Sequence, residues 1–403
     1  MSRISLAEAR ALLLAGVAPV GAETLPIAQC GGRVLASDLV ATRDQPPDPV
    51  SAMDGYAVRA EDARMGAVLE VIGEAPAGAP FAGHVAPGTA VRIATGGVVP
   101  PGAERIVIQE IVDEEGGRIG VREAPGAATF VRAAGCDFRS GDLIGRAGDL
   151  LTPARLGLAA AANLGALEVR RRPRVALLPS GDELGEPGAA LAAGGIVNSA
   201  AYALAELVAA WGGDPIRHAI LPDDRDACAA ELGAADLDAE VIVPLGGASV
   251  GDRDVLRPLF EALGARMVFE RIAVQPGKPS WHARFPDGRL VLGLPGNPAS
   301  AFVCAHLLLK PLLSPLLGRF DADPLVRAAL TRPLPKVGDR EVYLRARLWA
   351  DGEGRLRVEP DVRQDSSLQT PLAAANALVR RSPGAPPAAE GELVEVLTMG
   401  PLT

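Results

Sequence analysis

The stretch from Val241 to Ser300 constrains the fold more than any other part of the chain. It reads VIVPLGGASVGDRD, then AVQPGKPSW, then LVLGLPGNPASA. Twice an apolar run of strand type ends in a glycine-rich turn that opens toward a helix, and a lysine-bearing turn lies between them. In a parallel α/β sheet such turns sit at the carboxyl ends of the strands, where ligands bind. Backbone N–H groups at these turns cradle phosphate, and neighbouring aspartates hold hard cations such as Mg²⁺. The stretch reads as a phosphate-plus-metal site.

The same alternation runs from Pro173 to about residue 318. RVALLP leads to SGDEL; Asn198 or Ser199 starts a helix AAYALAELVAAW that ends at Gly212-Gly213; VIVPL leads to a helix VLRPLFEALG; LVLGL leads through PGNP to a helix ASAFVCAHLLL. Strands alternating with helices predict a doubly wound α/β domain. Upstream, residues 5–16 read as a helix with Ser5 and Glu8 as its capping box and Gly16 as its stop. Prolines 46, 47 and 49 exclude regular helix from RDQPPDPVSAMDGYAV, leaving an ordered turn or a linker. Short Val/Ile runs between glycines and prolines from about 56 to 140 predict a small β domain. Residues 152–167 read as a helix with Pro153 in its first turn, so the β region is expected between two helical pieces that belong together. Residues 319–403 alternate again, with a DGEG hairpin at 351–354, and predict a final β domain.

Composition narrows the function classes. With 48% hydrophobic and 22% charged residues the chain is of soluble globular type, and with 3% aromatics its core must be built from Ala, Val and Leu. A net charge of −9 argues against nucleic acid as a partner and means that an anionic substrate is captured by local positive groups. Cys30, Cys136, Cys228 and Cys304 are scattered without a C-x-x-C, so neither a zinc site nor a disulfide framework is expected. The N-terminal apolar patch, interrupted by Glu8 and Arg10, fits an amphipathic helix rather than a signal peptide. No run approaching a membrane span is expected, and a reducing cytoplasm is the simplest compartment. Among 40 Lys+Arg only Lys278, Lys310 and Lys336 are lysine. A lysine kept inside PGKP is therefore a candidate point charge for an oxyanion, where a planar guanidinium would not fit.

Four groups of residues are candidates. Gly246, Gly247, Ser249, Gly251, Asp252 and Asp254 combine close backbone approach, a hydroxyl and hard oxygen ligands; the plainer alternative is a turn with an aspartate at a helix start. GASVG also matches the nucleophile elbow of serine hydrolases, although no oxyanion motif accompanies it and no histidine is an evident partner. Ser180, Gly181, Asp182 and Glu183 place two carboxylates at a strand end, as ligand groups or as a helix cap. Pro295, Gly296, Asn297, Pro298 and Ser300 make an anion site at a helix start, or simply a well-formed turn. Asp54, in SAMDGYA, reads locally as a turn residue; Asp223-Asp224 is ambiguous; and Arg170 to Arg174 mark a domain boundary and a solvated loop.

Taken together, SAMDGYAV, RIATGGVVPPGAERIVIQE, LPSGDEL, GGIVNSAAYAL, LPDD, GGASVGDRD, PGKP and GLPGNPASA resemble the molybdopterin molybdenumtransferase family (the bacterial MoeA type, related to the E domain of gephyrin), over about residues 40–310. The resemblance implies multi-domain α/β plus β architecture. An elongated helical segment would comprise 1–45 and 141–172, an inserted β domain 46–140, a molybdopterin-binding α/β domain with a mostly parallel sheet 173–318, and a C-terminal β domain 319–403. It implies a homodimer with active sites completed across subunits, and Mg²⁺-dependent insertion of molybdate into adenylylated molybdopterin (molybdopterin-AMP) with release of AMP. By the same resemblance Asp54, Asp182, Glu183 and Lys278 are catalytic. Ser180, Gly181, Asp224, Gly246, Gly247, Ser249, Gly251, Pro295, Gly296, Asn297, Pro298 and Ser300 bind substrate or nucleotide, and Asp252 and Asp254 hold Mg²⁺. An upstream adenylyltransferase is an expected partner; nucleic acid and membrane are not.

Some positions depart from the family pattern. Gln275 stands where a second lysine often precedes PGK, Pro179-Ser180 replaces Ser-Thr, Cys136 stands at a glutamate position, and DSSLQTPLAAANAL lacks the usual glycines. These leave open a diverged binding paralogue without catalysis, or a preference for tungstate over molybdate. A molybdopterin adenylyltransferase shares the α/β domain but would not need the flanking parts.

Overall fold

The computed structural model describes residues 3–234, 237–246, 255–319, 321 and 323–401. They form two compact units: residues 24–169, and residues 1–23 together with 170–403.

The first unit is built on a six-stranded sheet in the order Arg105–Ile108, Gly55–Val58, Thr89–Ile93, Val68–Ala75, Arg118–Val121, Val112–Glu115. Gly55–Val58 is buried along its whole length because period-2 side chains serve two cores. Tyr56 and Val58 face Leu69, Val107 and Ile119, whereas Ala57 faces Val85, Val91 and Ile106. The Tyr56 hydroxyl donates to Glu114 (2.6 Å) and accepts from Arg92 (2.8 Å), so the polar tip of a buried ring is paired. The helix expected over 152–167 is shorter, Pro153–Ala161, with Thr152 as its cap. Asn163 takes a left-handed conformation (φ 60°) and ends it. The following alternation, Ala166–Arg170, forms a strand with Ala22–Pro26. Helix periodicity stops at 161 and strand periodicity takes over.

In the second unit a six-stranded sheet runs Asp214–Arg217, Arg174–Pro179, Val241–Leu245, Leu290–Gly293, Trp281–Arg284, Arg266–Phe269. Its first three pairings are parallel and its last two antiparallel, so the sheet is mostly parallel. The central strands read as unbroken apolar runs because helices cover both faces. Val175, Leu177, Val241 and Val243 pack with helices Ala200–Ala210 and Pro298–Cys304, and Ala176, Leu178 and Ile242 pack with Cys228, Leu256 and Phe260. The capping box of Leu6–Leu14 forms as expected: Ser5 accepts from the Glu8 amide and Glu8 from the Ser5 amide. Leu6, Ala9 and Leu13 belong to the α/β core. Residues 1–23 fall in the same compact unit as the α/β sheet.

The helix expected after PGNP continues to Leu316, through a π-helical turn at Ala305–Leu309. At 19 residues it is long and apolar enough for a membrane span, contrary to the expectation that no run would be, and 78% of its apolar window is buried in the core. The arginine run does lie at the unit boundary, but it is anchored rather than solvated: Arg171 pairs with Glu240 (2.5 Å), whose carboxylate also accepts from the Arg174 amide (2.7 Å).

In residues 319–403 the strands Glu341–Ala350, Leu356–Pro360, Leu325–Leu330, Leu393–Thr398 and Ala377–Arg381 pair in that order. The last also pairs with the first and closes the sheet into a barrel. The DGEG turn forms, with Asp351 accepting from the amides of Glu353 and Arg355. Val274–Gln275, just before PGKP, adds to this sheet beside Glu341 and Val342.

Candidate functional site

Register places the site. Pro179 pairs with Leu245, and Leu245 with Leu294, so three parallel strands end level. The turns that follow converge: Ser180, Gly181, Glu183, Gly246 and Pro295–Pro298 line one cavity of about 730 Å³, whereas Asp182 is not part of its wall. Glycines stand where these turns touch. A Cβ on Gly296 would stand 3.2 Å from the Gly246 α-carbon. A Cβ on Gly181 (φ +144°) would meet the Glu183 carboxylate at 2.6 Å.

Ser180 is buried, and its hydroxyl has no hydrogen-bond partner among the described residues. It lies on the cavity wall, where a ligand would satisfy it. Glu183 is exposed into the same space. Asp182 caps no helix. Its carboxylate accepts from the Asp223 amide (3.1 Å), and its own amide points back at the Asp223 carboxylate (3.5 Å). Asp224 is the capping residue: it accepts from the Ala227 amide (2.9 Å) ahead of the helix Arg225–Ala234. The neighbour, Asp223, lines the cavity.

Lys278 lies on the turn after the cis peptide Gln275–Pro276 and lines both the main cavity and an adjoining one of about 450 Å³. It has no ion-pair partner among the described residues. Gln275 accepts from Arg340 (2.6 Å), so a cation stands beside the position where the family pattern has a second lysine. Ser300 lines the adjoining cavity. Asn297 occupies the N-cap position of Pro298–Cys304 but makes no capping bond; its side-chain amide donates instead to the Ser366 hydroxyl (2.8 Å).

Asp54 belongs to the first unit. One carboxylate oxygen accepts from the Thr95 amide (2.6 Å) and the Thr95 hydroxyl (2.9 Å). These bonds hold the carboxyl below the usual carboxylate range, the backbone one foremost. Gly247, Ser249, Gly251, Asp252 and Asp254 lie outside the described residues.

Several lining residues carry no local sequence signature. Asp223 arrives because the chain at 218–223 runs beside the end of Arg174–Pro179. Arg257, Glu270 and Arg271 reach the main cavity, and Arg340, Arg345 and Ser366 the adjoining one, from separate elements. Cations and carboxylates thus share one cleft, as a phosphate-bearing ligand with a hard cation would require. Glu183, Asp223 and the Ser180 hydroxyl are donors of the hard-oxygen type that suits Mg²⁺. No group of three metal-ligating side chains converges among the described residues.

Comparison with known proteins agrees with this architecture. Residues 4–163 match the MoeA N-terminal region (domains I and II), 176–315 a probable molybdopterin binding domain, and 327–399 the MoeA C-terminal region (domain IV). The chain is 36% identical over 331 residues to a molybdopterin molybdenumtransferase of Nostoc, covering 80% of this chain and 76% of that one. It is 32% identical over 384 residues to that of Haemophilus influenzae, covering 93% and 94%. The crystal structure of a molybdopterin biosynthesis MoeA protein from Pyrococcus superposes with a TM-score of 0.83 at 29% identity, covering 99% of this chain and all of that one.

Proposed function

This chain belongs to the molybdopterin molybdenumtransferase family, enzymes of molybdenum cofactor biosynthesis, and on that premise we propose that it inserts molybdate into adenylylated molybdopterin with release of AMP and dependence on Mg²⁺. The observation that carries the reading is the cavity on which Ser180, Gly181, Glu183, Gly246, Lys278 and Pro295–Pro298 meet at the level ends of three parallel strands. Lys278 holds oxyanion charge as a compact ammonium. The Ser180 hydroxyl would hydrogen-bond the substrate; Glu183 and Asp223 would supply oxygen ligands to Mg²⁺ from the cavity wall, and Asp252 and Asp254 are the further metal ligands that family resemblance implies. The metal supplies neutralisation of the substrate's phosphate charge. Asp54, kept ionised by Thr95, is the further catalytic carboxylate. Exchange of molybdate oxygens for the dithiolene sulfurs is the cofactor's own chemistry.

Homodimerisation, the four-part domain division, delivery by an upstream adenylyltransferase and a cytoplasmic location belong to the same proposal. The adenylyltransferase alternative is less favoured, since the family match extends on both sides of the α/β domain. The serine-hydrolase alternative is less favoured: none of His84, His218, His282 and His306 lines the cavity, and burial lowers the pKa of His282 to about 4 and of His306 to about 3.

The test is turnover of adenylylated molybdopterin by the purified protein with molybdate and Mg²⁺, following AMP and bound molybdenum. Molybdate-dependent AMP release that Asp252→Ala and Lys278→Ala both lose is the expected result. Tight binding without turnover would replace the enzyme reading by that of a binding paralogue, and Gln275→Lys would be the next variant. Running tungstate beside molybdate decides between the two oxyanions.

A further inference from the structure

We propose that Arg345 is a positioning residue for the substrate cavity, holding the segment 363–369 in the one shape that latches the Asn297 turn. Arg345 lies in the strand Glu341–Ala350 and is 3% exposed. Its guanidinium donates to three carbonyl oxygens of this segment: Leu368 (2.9 Å), Arg363 (3.0 Å) and Asp365 (2.8 Å). Its Nε and its backbone N–H both donate to the Gln364 side chain (3.4 and 3.1 Å). All three guanidinium nitrogens are thereby committed inside the protein. A planar fork of five N–H donors can gather several acceptors from one turn, whereas an ammonium with three donors reproduces that only in part.

The shaped segment grips the starts of two helices. Ser366 accepts from the Asn297 side chain (2.8 Å) through its hydroxyl and from the Ala299 amide (3.2 Å) through its carbonyl. Gln369 donates to the Ser199 hydroxyl (2.6 Å). Ser199 and Asn297 both line the main cavity. Each occupies an N-cap position, and neither side chain makes the capping bond to its own helix. Two side chains suited to capping are turned instead toward 363–369, which fastens two walls of the cavity to a segment more than sixty residues away in sequence. Arg345 determines where that segment sits.

The role of Arg345 in turnover rests on the reading of the cavity given above; the latch itself does not. Two measurements separate them. Hydrogen exchange on the intact, ligand-free protein should show faster exchange at 297–301, the Ala299 amide included, in Arg345→Lys and in the milder Gln364→Ala. Unchanged exchange there in both variants overturns the latch. In turnover, Arg345→Lys should raise KM for adenylylated molybdopterin about tenfold, with kcat less affected, as coupled neighbours do. Combining it with Asn297→Ala should add little to the larger single loss. Full additivity of the two losses overturns the positioning role even if stability has fallen. Turnover unaffected by Asn297→Ala would sink the cavity as substrate site, while the exchange result would still decide the latch.

Discussion

The α-carbon of Gly246 lies against the carbonyl oxygen of Ser180: a methyl group on Gly246 would stand 2.7 Å from that oxygen, and the glycine itself holds φ at +101°. Gly246→Ala therefore meets both a backbone clash and a conformation that side-chain-bearing residues avoid. The expected cost is about 1–3 kcal/mol. Thermal unfolding should show it as a lowered Tm, and substrate affinity should fall with it because Ser180 must move.

Lys278 faces two cavities without a partner charge among the described residues. Lys278→Ala should lower kcat/KM about 100-fold or more, the scale for losing a charge that stabilises a developing anion. Lys278→Arg keeps the charge and loses the compact shape, so it should recover only part of the loss. A fully active Lys278→Arg in steady-state kinetics would overturn the point-charge argument.

Asp223 and Asp224 should separate cleanly. Asp224→Ala removes a helix cap and should cost about 1 kcal/mol of stability without altering the Mg²⁺ requirement. Asp223→Asn removes a cavity carboxylate. It should raise the Mg²⁺ concentration for half-maximal activity about tenfold. Mg²⁺ titrations of both variants, read beside their melting curves, check the assignment.

Two hydrogen bonds from Thr95 favour the charged form of Asp54. Thr95→Val removes the hydroxyl and leaves the amide, so the carboxyl pKa should rise part of the way back. If ionised Asp54 is required, the acid limb of the kcat/KM profile should move to higher pH in Thr95→Val, with the alkaline limb unmoved. An unmoved acid limb would remove Asp54 from the catalytic set.

Burial depresses the pKa of His282 to about 4 and of His306 to about 3. Below pH 6.5 the unfolded chain takes up protons that the native protein refuses, so stability should be full above pH 6.5 and fall as pH drops toward 4. Each residue is worth up to about 3 kcal/mol across that window. His306 packs edge-on to Trp211 and beside Phe302, an environment an apolar side chain can share. His306→Leu should flatten the fall in denaturant midpoints measured from pH 7 to pH 4.5.

Much of the site was legible because its signals are local. Ser180–Glu183, Lys278 and Pro295–Pro298 each follow an apolar run and carry glycine, proline or an isolated lysine where a strand-end turn needs them. The strand-end rule expects them together without knowledge of the fold, and in the structure all of these but Asp182 line one cavity. Where periodicity was stretched too far, as over 152–167, a left-handed Asn163 decided the end of the helix. Asp223 and Asp224 are alike in the sequence; only the structure shows that Asp224 engages the helix start while Asp223 lines the cavity.

By itself the sequence determined the strand–turn–helix order, the glycines at the strand ends, the capping box at Ser5 and the family to which the chain belongs, because each is written in neighbouring residues. Only the tertiary structure decided that Leu6–Leu14 joins the α/β core, that Asn297 and Ser199 turn away from their own helices, and that Arg345 gathers the segment holding them. Those outcomes depend on hydrogen bonds and packing between groups far apart in the chain. No local pattern of residues encodes which distant partner will be within three ångströms.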